Sequence, residues 1–373
     1  MSDSGTFPAR VGGPPNVGGR GVDNRVGRRL GLSDVLTRLL AQRGTIVLDG
    51  AMATELEKRG VDTSGPLWSA LAMRDAPEAI LDVHRAYFAA GADVATTNTY
   101  QANLDAYRRA GLSQAEAEDM VRQAVRLARR ARDEHAATTG RHGLVAGSVG
   151  PYGAYLADGS EYTGAYTRTD EEFRAFHRPR LRLLTEAGVD VLALETMPQG
   201  PEIHALLGLL PEVAPEVPAW LSLSVRDDAT ALRDGTLLDD VVAWAEACPQ
   251  VRLLGVNCTR VESATTALSL LADLTSLPLV VYPNSGEEYD AEAKTWSTGG
   301  STTGGGVGAG TGGAASGADG VAAGNGGTGP GDDLLAGALP AWEALGARAV
   351  GGCCRTTPAQ IQALAAAVGE PAA

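Results

Sequence analysis

The sequence predicts an α/β fold, a single-domain (β/α)8 TIM-type barrel, and three observations carry that expectation. Eight short apolar runs with β-branched character alternate with amphipathic helical runs. Prolines stand near helix starts (Pro77, Pro201, Pro358) and glycines near helix ends (Gly60, Gly91, Gly188, Gly346), where a missing N–H and a positive φ cost little. The stretch from about Ser33 to Ala367, less one low-complexity segment, is near the roughly 250 to 300 residues such barrels need. A doubly wound sheet with a small second domain is the alternative, and strict alternation through eight strands speaks against it.

In chain order, residues 1–31 come first. They hold Val11-Gly12-Gly13-Pro14-Pro15 and Gly18-Gly19 and have no hydrophobic period, so a disordered leader is expected. Arg20, Arg25, Arg28 and Arg29 offer an acidic partner a contact, but a plain leader is the simpler reading. The barrel domain then runs over 32–370. Its strands are expected at Thr45–Leu48, Asp93–Thr96, Leu144–Ser148, Val189–Leu194, Ala219–Ser224, Arg252–Val256, Leu279–Tyr282 and Ala347–Val350. Its helices are expected at Ala51–Arg59, Pro77–Ala90, Gln114–Thr138, Asp170–Ala187, Pro201–Val213, Leu237–Ala245, Ser263–Leu274, Asp332–Leu345 and Thr357–Val368. One segment interrupts the pattern before the last helix–strand unit. In residues 297–331, 16 of 35 residues are glycine and most others Ala, Ser or Thr. Such a segment buries too little apolar surface to offset its ordering entropy, so a flexible inserted loop is expected.

Composition excludes several functions. With 373 residues and 44% apolar side chains there is material for a large core. No apolar run reaches the 18 or so residues a membrane helix takes. The charge sum, 31 − 45 = −14, lacks the basic footprint of a nucleic-acid binder. Four cysteines are too few for a disulfide scaffold, and the first thirty residues lack a secretory apolar stretch. A cytoplasmic, reducing setting is the expectation, with the cysteines as thiols.

In a barrel of this kind function collects at the C-terminal ends of the strands. The first strand ends in Asp49-Gly50, the second in Thr97-Asn98-Thr99, the fourth in Glu195, the sixth in Asn257-Cys258 and the eighth in Cys353-Cys354. Three of the four cysteines therefore fall on one rim. Zinc takes Cys thiolates in a tetrahedron, and three protein ligands leave a fourth position for water or substrate. Other readings of these residues stay open: a vicinal disulfide between Cys353 and Cys354, Cys258 as a small buried hydrophobe, or a structural zinc with a fourth ligand elsewhere. Cys248, at a helix end before Pro249, reads as structural. Asp49 and Glu195 each end an apolar run, where a charge is unfavourable unless paired or functional. Two acids facing one site suit a cationic group, an amino-acid ammonium or a sulfonium. The plainer readings are a helix cap for Asp49 and an arginine salt bridge for Glu195. Backbone N–H groups at Gly50 and near Thr97 are placed to receive a carboxylate. The Tyr- and Gly-rich stretch from Gly150 to Gly164 suits a substrate loop or plain surface. None of the five histidines ends a strand, and none is assigned a role.

These pieces resemble the zinc-dependent homocysteine S-methyltransferases. The matching segments include Leu48-Asp49-Gly50-Ala51-Met52, Thr97-Asn98-Thr99-Tyr100, Gly150-Pro151-Tyr152-Gly153, Glu195-Thr196-Met197-Pro198, Gly255-Val256-Asn257-Cys258 and Gly351-Gly352-Cys353-Cys354. They span nearly the whole chain outside the leader and the insertion, and the insertion is the departure from the family pattern. The resemblance implies a barrel, one zinc ion on Cys258, Cys353 and Cys354, and Asp49 and Glu195 helping to hold the homocysteine ammonium; Gly50, Thr97 and Asn257, at the same strand ends, complete the expected substrate site. The stretch from Gly147 to Tyr166 looks more like the S-methylmethionine-using type than the betaine-using type. The implied chemistry is attack of a zinc-activated homocysteine thiolate on a sulfonium methyl, giving methionine with no general acid. The alternatives are S-adenosylmethionine or betaine as donor, or a non-catalytic barrel whose cysteines store zinc or sense oxidant. The expected partners are small molecules, homocysteine and a methyl donor.

Overall fold

The structure, a computed structural model, describes residues 34–63, 72–290, 295–298 and 333–369. Its strands are β1 (Ile46–Val47), β2 (Val94–Thr96), β3 (Leu144–Val149), β4 (Val191–Met197), β5 (Ala219–Leu223), β6 (Val251–Asn257), β7 (Leu279–Tyr282), β8 (Glu287–Asp290), β9 (Thr295–Thr298) and β10 (Ala347–Val350). All but β8 and β9 form one parallel sheet in the order β1-β10-β7-β6-β5-β4-β3-β2. A parallel bridge between Leu48 and Val94 joins the two ends of that row and closes the barrel. Each of the eight expected strands is present.

The strands read as continuous apolar runs because both of their faces are buried. Along each strand alternate residues point inward and outward. Ile46, Leu48, Ala146, Ala193, Trp220 and Val280 belong to the interior cluster. Val47, Leu192, Leu194, Leu221, Val281 and Val350 pack outward against the helices. Leu36 and Leu39, from helix Val35–Arg43, join the interior cluster. Arg252 at the start of β6 pairs with Asp34 at 2.9 Å, and Arg43 pairs with Asp93, just before β2, at 3.4 Å. That helix therefore stoppers the N-terminal end of the barrel and leaves the other end for function.

The expected helices appear within a few residues of their predicted bounds, from Met52–Lys58 to Pro358–Val368. Gln114–Thr139, Asp170–Ala187 and Pro358–Val368 open with capping boxes built on Ser113, Thr169 and Thr357. Gly91 and Gly188 take φ of 100° and 83°, the left-handed conformation expected at helix ends. At Gly255 in β6 a Cβ would overlap the carbonyl oxygen of Val280 in β7, so only glycine lets these neighbours pair.

Beyond expectation are the helices Val35–Arg43, Ala72–Asp75, Leu104–Arg109 and Tyr152–Leu156, a 3-10 turn at Ser160–Tyr162, and the antiparallel hairpin β8–β9. Ser297 and Thr298, the first two residues of the expected glycine-rich loop, belong to β9. The rest of that segment and the 1–31 leader lie outside the described residues. No helix among the described residues is long and apolar enough to cross a membrane.

Candidate metal centre and its acidic rim

Cys258 directly follows β6, and Cys353 and Cys354 follow β10 by two residues. β7 lies between the two strands, so the cysteines do not come from hydrogen-bonded neighbours. The loop after β7 brings them together. Cys258 N–H donates to the Tyr282 carbonyl at 3.2 Å and Cys353 N–H to the Pro283 carbonyl at 2.7 Å. Asn284 Oδ1 accepts from Cys354 N–H at 3.2 Å, and Ser285 N–H donates back to the Cys354 carbonyl at 3.1 Å. Thr196, Cys258 and Arg355 hold positive φ of 59°, 53° and 65°, at the ends of β4, β6 and β10. Each such conformation costs roughly 1–3 kcal/mol in a non-glycine residue, and such strain gathers at functional sites.

The three sulfurs lie within 4.8 Å of one another, and Cys258 Sγ and Cys354 Sγ are 3.6 Å apart. A tetrahedral ion with metal–sulfur bonds near 2.3 Å needs sulfur–sulfur separations of about 3.8 Å. The donor set thus fits zinc in both chemistry and spacing. Among the described residues no fourth His, Cys, Asp or Glu joins the group, so these three donors fill three positions of a tetrahedral ion. All four cysteines are free thiols, so no vicinal disulfide is formed. Hydrogen bonding among the three rim sulfurs, together with burial, holds their thiols well above the usual range. A dication among them would reverse that balance and bind them as thiolates. Cys248 is buried apart, beside the Leu207 carbonyl and Gln250.

Asp49 and Glu195 are both buried, 5% and 8% exposed. Asp49 accepts hydrogen bonds from the Thr96 N–H at 2.7 Å and the Thr96 hydroxyl at 2.8 Å. It does not cap helix Met52–Lys58, whose N-cap is Ala51 with no side-chain hydrogen bond. Burial pushes its pKa up to about 7 against the pull of Thr96, and the charge of Glu195 adds to the rise. Glu195 sits where the pairing of β4 with β5 shifts register between Leu194 and Met197. It accepts a short hydrogen bond from Ser148 Oγ. Burial raises its pKa to about 6, with Ser148, Tyr282 and the charge of Arg180 opposing. No arginine forms an ion pair with it among the described residues. Its charge reaches Cys353 and Cys354, so acids and sulfurs share one rim.

The other expected residues lie on the same rim. Thr97 N–H donates to the Ala146 carbonyl at 2.8 Å, and its hydroxyl contacts Thr99 Oγ1 at 2.7 Å and accepts from Ser148 N–H at 3.0 Å. Gly50 lies against Tyr87 and Thr356, where a Cβ would approach within 2.9 Å and 2.7 Å. Asn257 uses its whole amide. Its oxygen accepts from Thr196 N–H and Ser222 Oγ, both at 2.8 Å, and its Nδ2 donates to Thr196 Oγ1 at 2.8 Å with Cys353 Sγ at 3.9 Å.

Sequence reasoning missed a buried polar network beside the rim. Arg180 donates to the carbonyls of Tyr100 at 2.9 Å and Gly150 at 2.5 Å and meets His177 Nδ1 at 3.1 Å. His177 Nε2 lies 2.7 Å from Glu202, which also accepts from Tyr152 N–H and the Tyr166 hydroxyl. The network ties the loops after β2 and β3 to helices Asp170–Ala187 and Gly200–Val213. The usable signal was periodicity, because His177 and Arg180 stand on the apolar face of their helix.

Fold and rim together define a (β/α)8 barrel enzyme with a three-cysteine, metal-competent centre. The family model described as homocysteine S-methyltransferase matches residues 46–368, and the chain belongs to that family. A homocysteine S-methyltransferase of Escherichia coli (strain K12) is 47% identical over 333 residues, covering 89% of this chain and 97% of that protein. Homocysteine S-methyltransferase YbgG of Bacillus subtilis (strain 168) is 42% identical over 326 residues, covering 86% of this chain and 93% of that protein. The metallated crystal structure of the Escherichia coli homocysteine methyltransferase MmuM superposes with a TM-score of 0.74 at 44% identity, covering 89% of this chain and 99% of that one. The family makes the chain a methyltransferase.

Proposed function

We propose that the chain transfers the methyl group of a sulfonium, S-methylmethionine, to homocysteine and forms methionine, with zinc on Cys258, Cys353 and Cys354. The observation that carries this reading is the convergence of three sulfurs, from strands that are not neighbours, beside two buried acids that form no arginine ion pair among the described residues. The metallated form of the similar Escherichia coli enzyme supports the metal. A reducing compartment, the cytoplasm, keeps the cysteines as thiols.

When bound, zinc supplies Lewis-acid chemistry, holding a substrate thiol as a nucleophilic thiolate near neutral pH, where a free thiol of pKa near 8.5 is mostly protonated. Asp49 and Glu195 hold the homocysteine ammonium. Gly50 and the turn at Thr97 receive its carboxylate; Thr97 contributes the turn rather than its own N–H, which is spent on Ala146. Asn257 lines the site and orients Thr196 and Cys353. The homocysteine sulfur attacks the donor's methyl carbon in line. The new C–S bond forms as the methyl–sulfonium bond breaks, and that electron pair stays on the donor sulfur. The leaving thioether is neutral, so no residue has to deliver a proton.

The test is methionine formation by zinc-loaded protein with homocysteine and one donor per reaction: S-methylmethionine, S-adenosylmethionine or betaine. Product with S-methylmethionine supports the reading. Product only with another donor corrects the donor, and no product with any donor overturns the reading.

A further inference from the structure

The loop between β3 and helix Asp170–Ala187 carries an acid without a role in the chemistry above. Glu161, in the 3-10 turn Ser160–Tyr162, is 4% exposed. Its Oε2 is buried and meets no hydrogen-bond donor. No lysine, arginine or histidine pairs with it among the described residues, and the neighbouring charge that acts on it, Asp158, has the same sign. Burial pushes its pKa up to about 7. An unpaired buried carboxyl is costly, and a loose loop would turn it out to water. This loop is not loose there: a Cβ on Gly153 would come within 2.5 Å of the Glu161 nitrogen.

Glu161 shares its 3-10 turn with Tyr162. Its charge acts on the phenols of Tyr100 and Tyr162, and so does the thiol of Cys258. Tyr162 Oη lies 3.8 Å from Cys258 Sγ. The turn that carries Glu161 thus abuts the sulfur cluster through its own Tyr162. The charges of the substrates then favour one occupant. Homocysteine is a zwitterion whose ammonium is already matched by Asp49 and Glu195. A sulfonium amino acid carries one further positive charge that needs a counter-charge of its own.

We infer that Glu161 binds the cationic methyl donor, its buried carboxylate facing the donor's positive charge beside the turn whose Tyr162 meets the sulfur cluster. The inference rests on the methyl-transfer reading. Transfer removes the sulfonium charge, so the same residue that attracts the donor releases the neutral thioether product.

The test compares wild type with Glu161→Gln and Glu161→Asp, all zinc-loaded, by the KM of each substrate and by calorimetric titration with S-methylmethionine alone. Loss of a charge-assisted contact predicts a donor KM and Kd raised about tenfold to 100-fold in Glu161→Gln. The homocysteine KM stays within about twofold and bound zinc is unchanged. Glu161→Asp, which keeps the charge one methylene further away, falls between, and it serves alone if the glutamine variant does not fold. Donor KM and Kd within twofold of wild type in a folded, zinc-loaded variant overturn the inference and leave the methyl-transfer reading standing. A wild-type chain that takes a methyl from no sulfonium overturns both.

Discussion

Cys258 and Cys354 place their sulfurs 3.6 Å apart although a third strand separates the strands that carry them. The connection is the Pro283–Ser285 loop, whose backbone and Asn284 side chain hold the vicinal cysteines from one side while the Tyr282 carbonyl holds the Cys258 backbone from the other. Three candidate ligands whose backbones are held by hydrogen bonds make a preformed site, which gives substitutions there definite expected outcomes.

Cys353→Ser removes one of three sulfur ligands. Zinc content by metal analysis and methionine formation are expected to fall together, activity to below about one-hundredth of wild type. The barrel core does not include the metal, so the far-ultraviolet circular dichroism stays as it was.

Glu195→Ala removes half of the proposed ammonium site but no sulfur. Steady-state kinetics are expected to show a homocysteine KM raised about tenfold or more, with zinc content intact. Loss of zinc in this variant would place Glu195 in the metal centre instead.

Asp49 and Glu195 also give a pH signature. Their native pKa values, about 7 and about 6, lie above their ordinary carboxyl values. Between pH 4 and 7 the native state therefore holds protons that the unfolded chain has released, and stability from these groups, full at acid pH, is lost as pH rises through that window. Asp49→Asn carries no charge to bury. At pH 8 and without substrate it is expected to melt about 3 °C or more above wild type, and the gain is expected to vanish near pH 4. An equal gain at both pH values would contradict the assignment.

Two positions test the scaffold. Gly255→Ala forces a methyl group into the Val280 carbonyl and is expected to cost about 3 kcal/mol or more in denaturant unfolding, enough to depress soluble yield. Arg180→Met leaves the carbonyls of Tyr100 and Gly150 without their buried donor. It is expected to cost about 2 kcal/mol or more and to raise the KM of both substrates by loosening the loops after β2 and β3.

The barrel was legible because buried parallel strands have a plain signature, an apolar run that stops at a polar residue. That stopping point also exposed Asp49, Glu195 and the three cysteines. What stayed hidden depends on partners distant in sequence. Nothing local in Thr96 or Ser148 marks them as the hydrogen-bond donors to Asp49 and Glu195. Helix Val35–Arg43 has only two buried side chains, Leu36 and Leu39, so its apolar period is too faint to set it apart from the leader before it. The His177–Glu202 pair carries no strand-end signal, because these residues meet between two helices.

The central claim is that the three-cysteine centre holds zinc and that this zinc makes homocysteine reactive. Its most direct test is methionine formation from homocysteine and S-methylmethionine by chelator-stripped protein as zinc is returned in steps. Activity should start near zero and rise linearly to a plateau at one zinc per chain, with Cys353→Ser flat throughout. Full activity in the stripped protein would contradict the account.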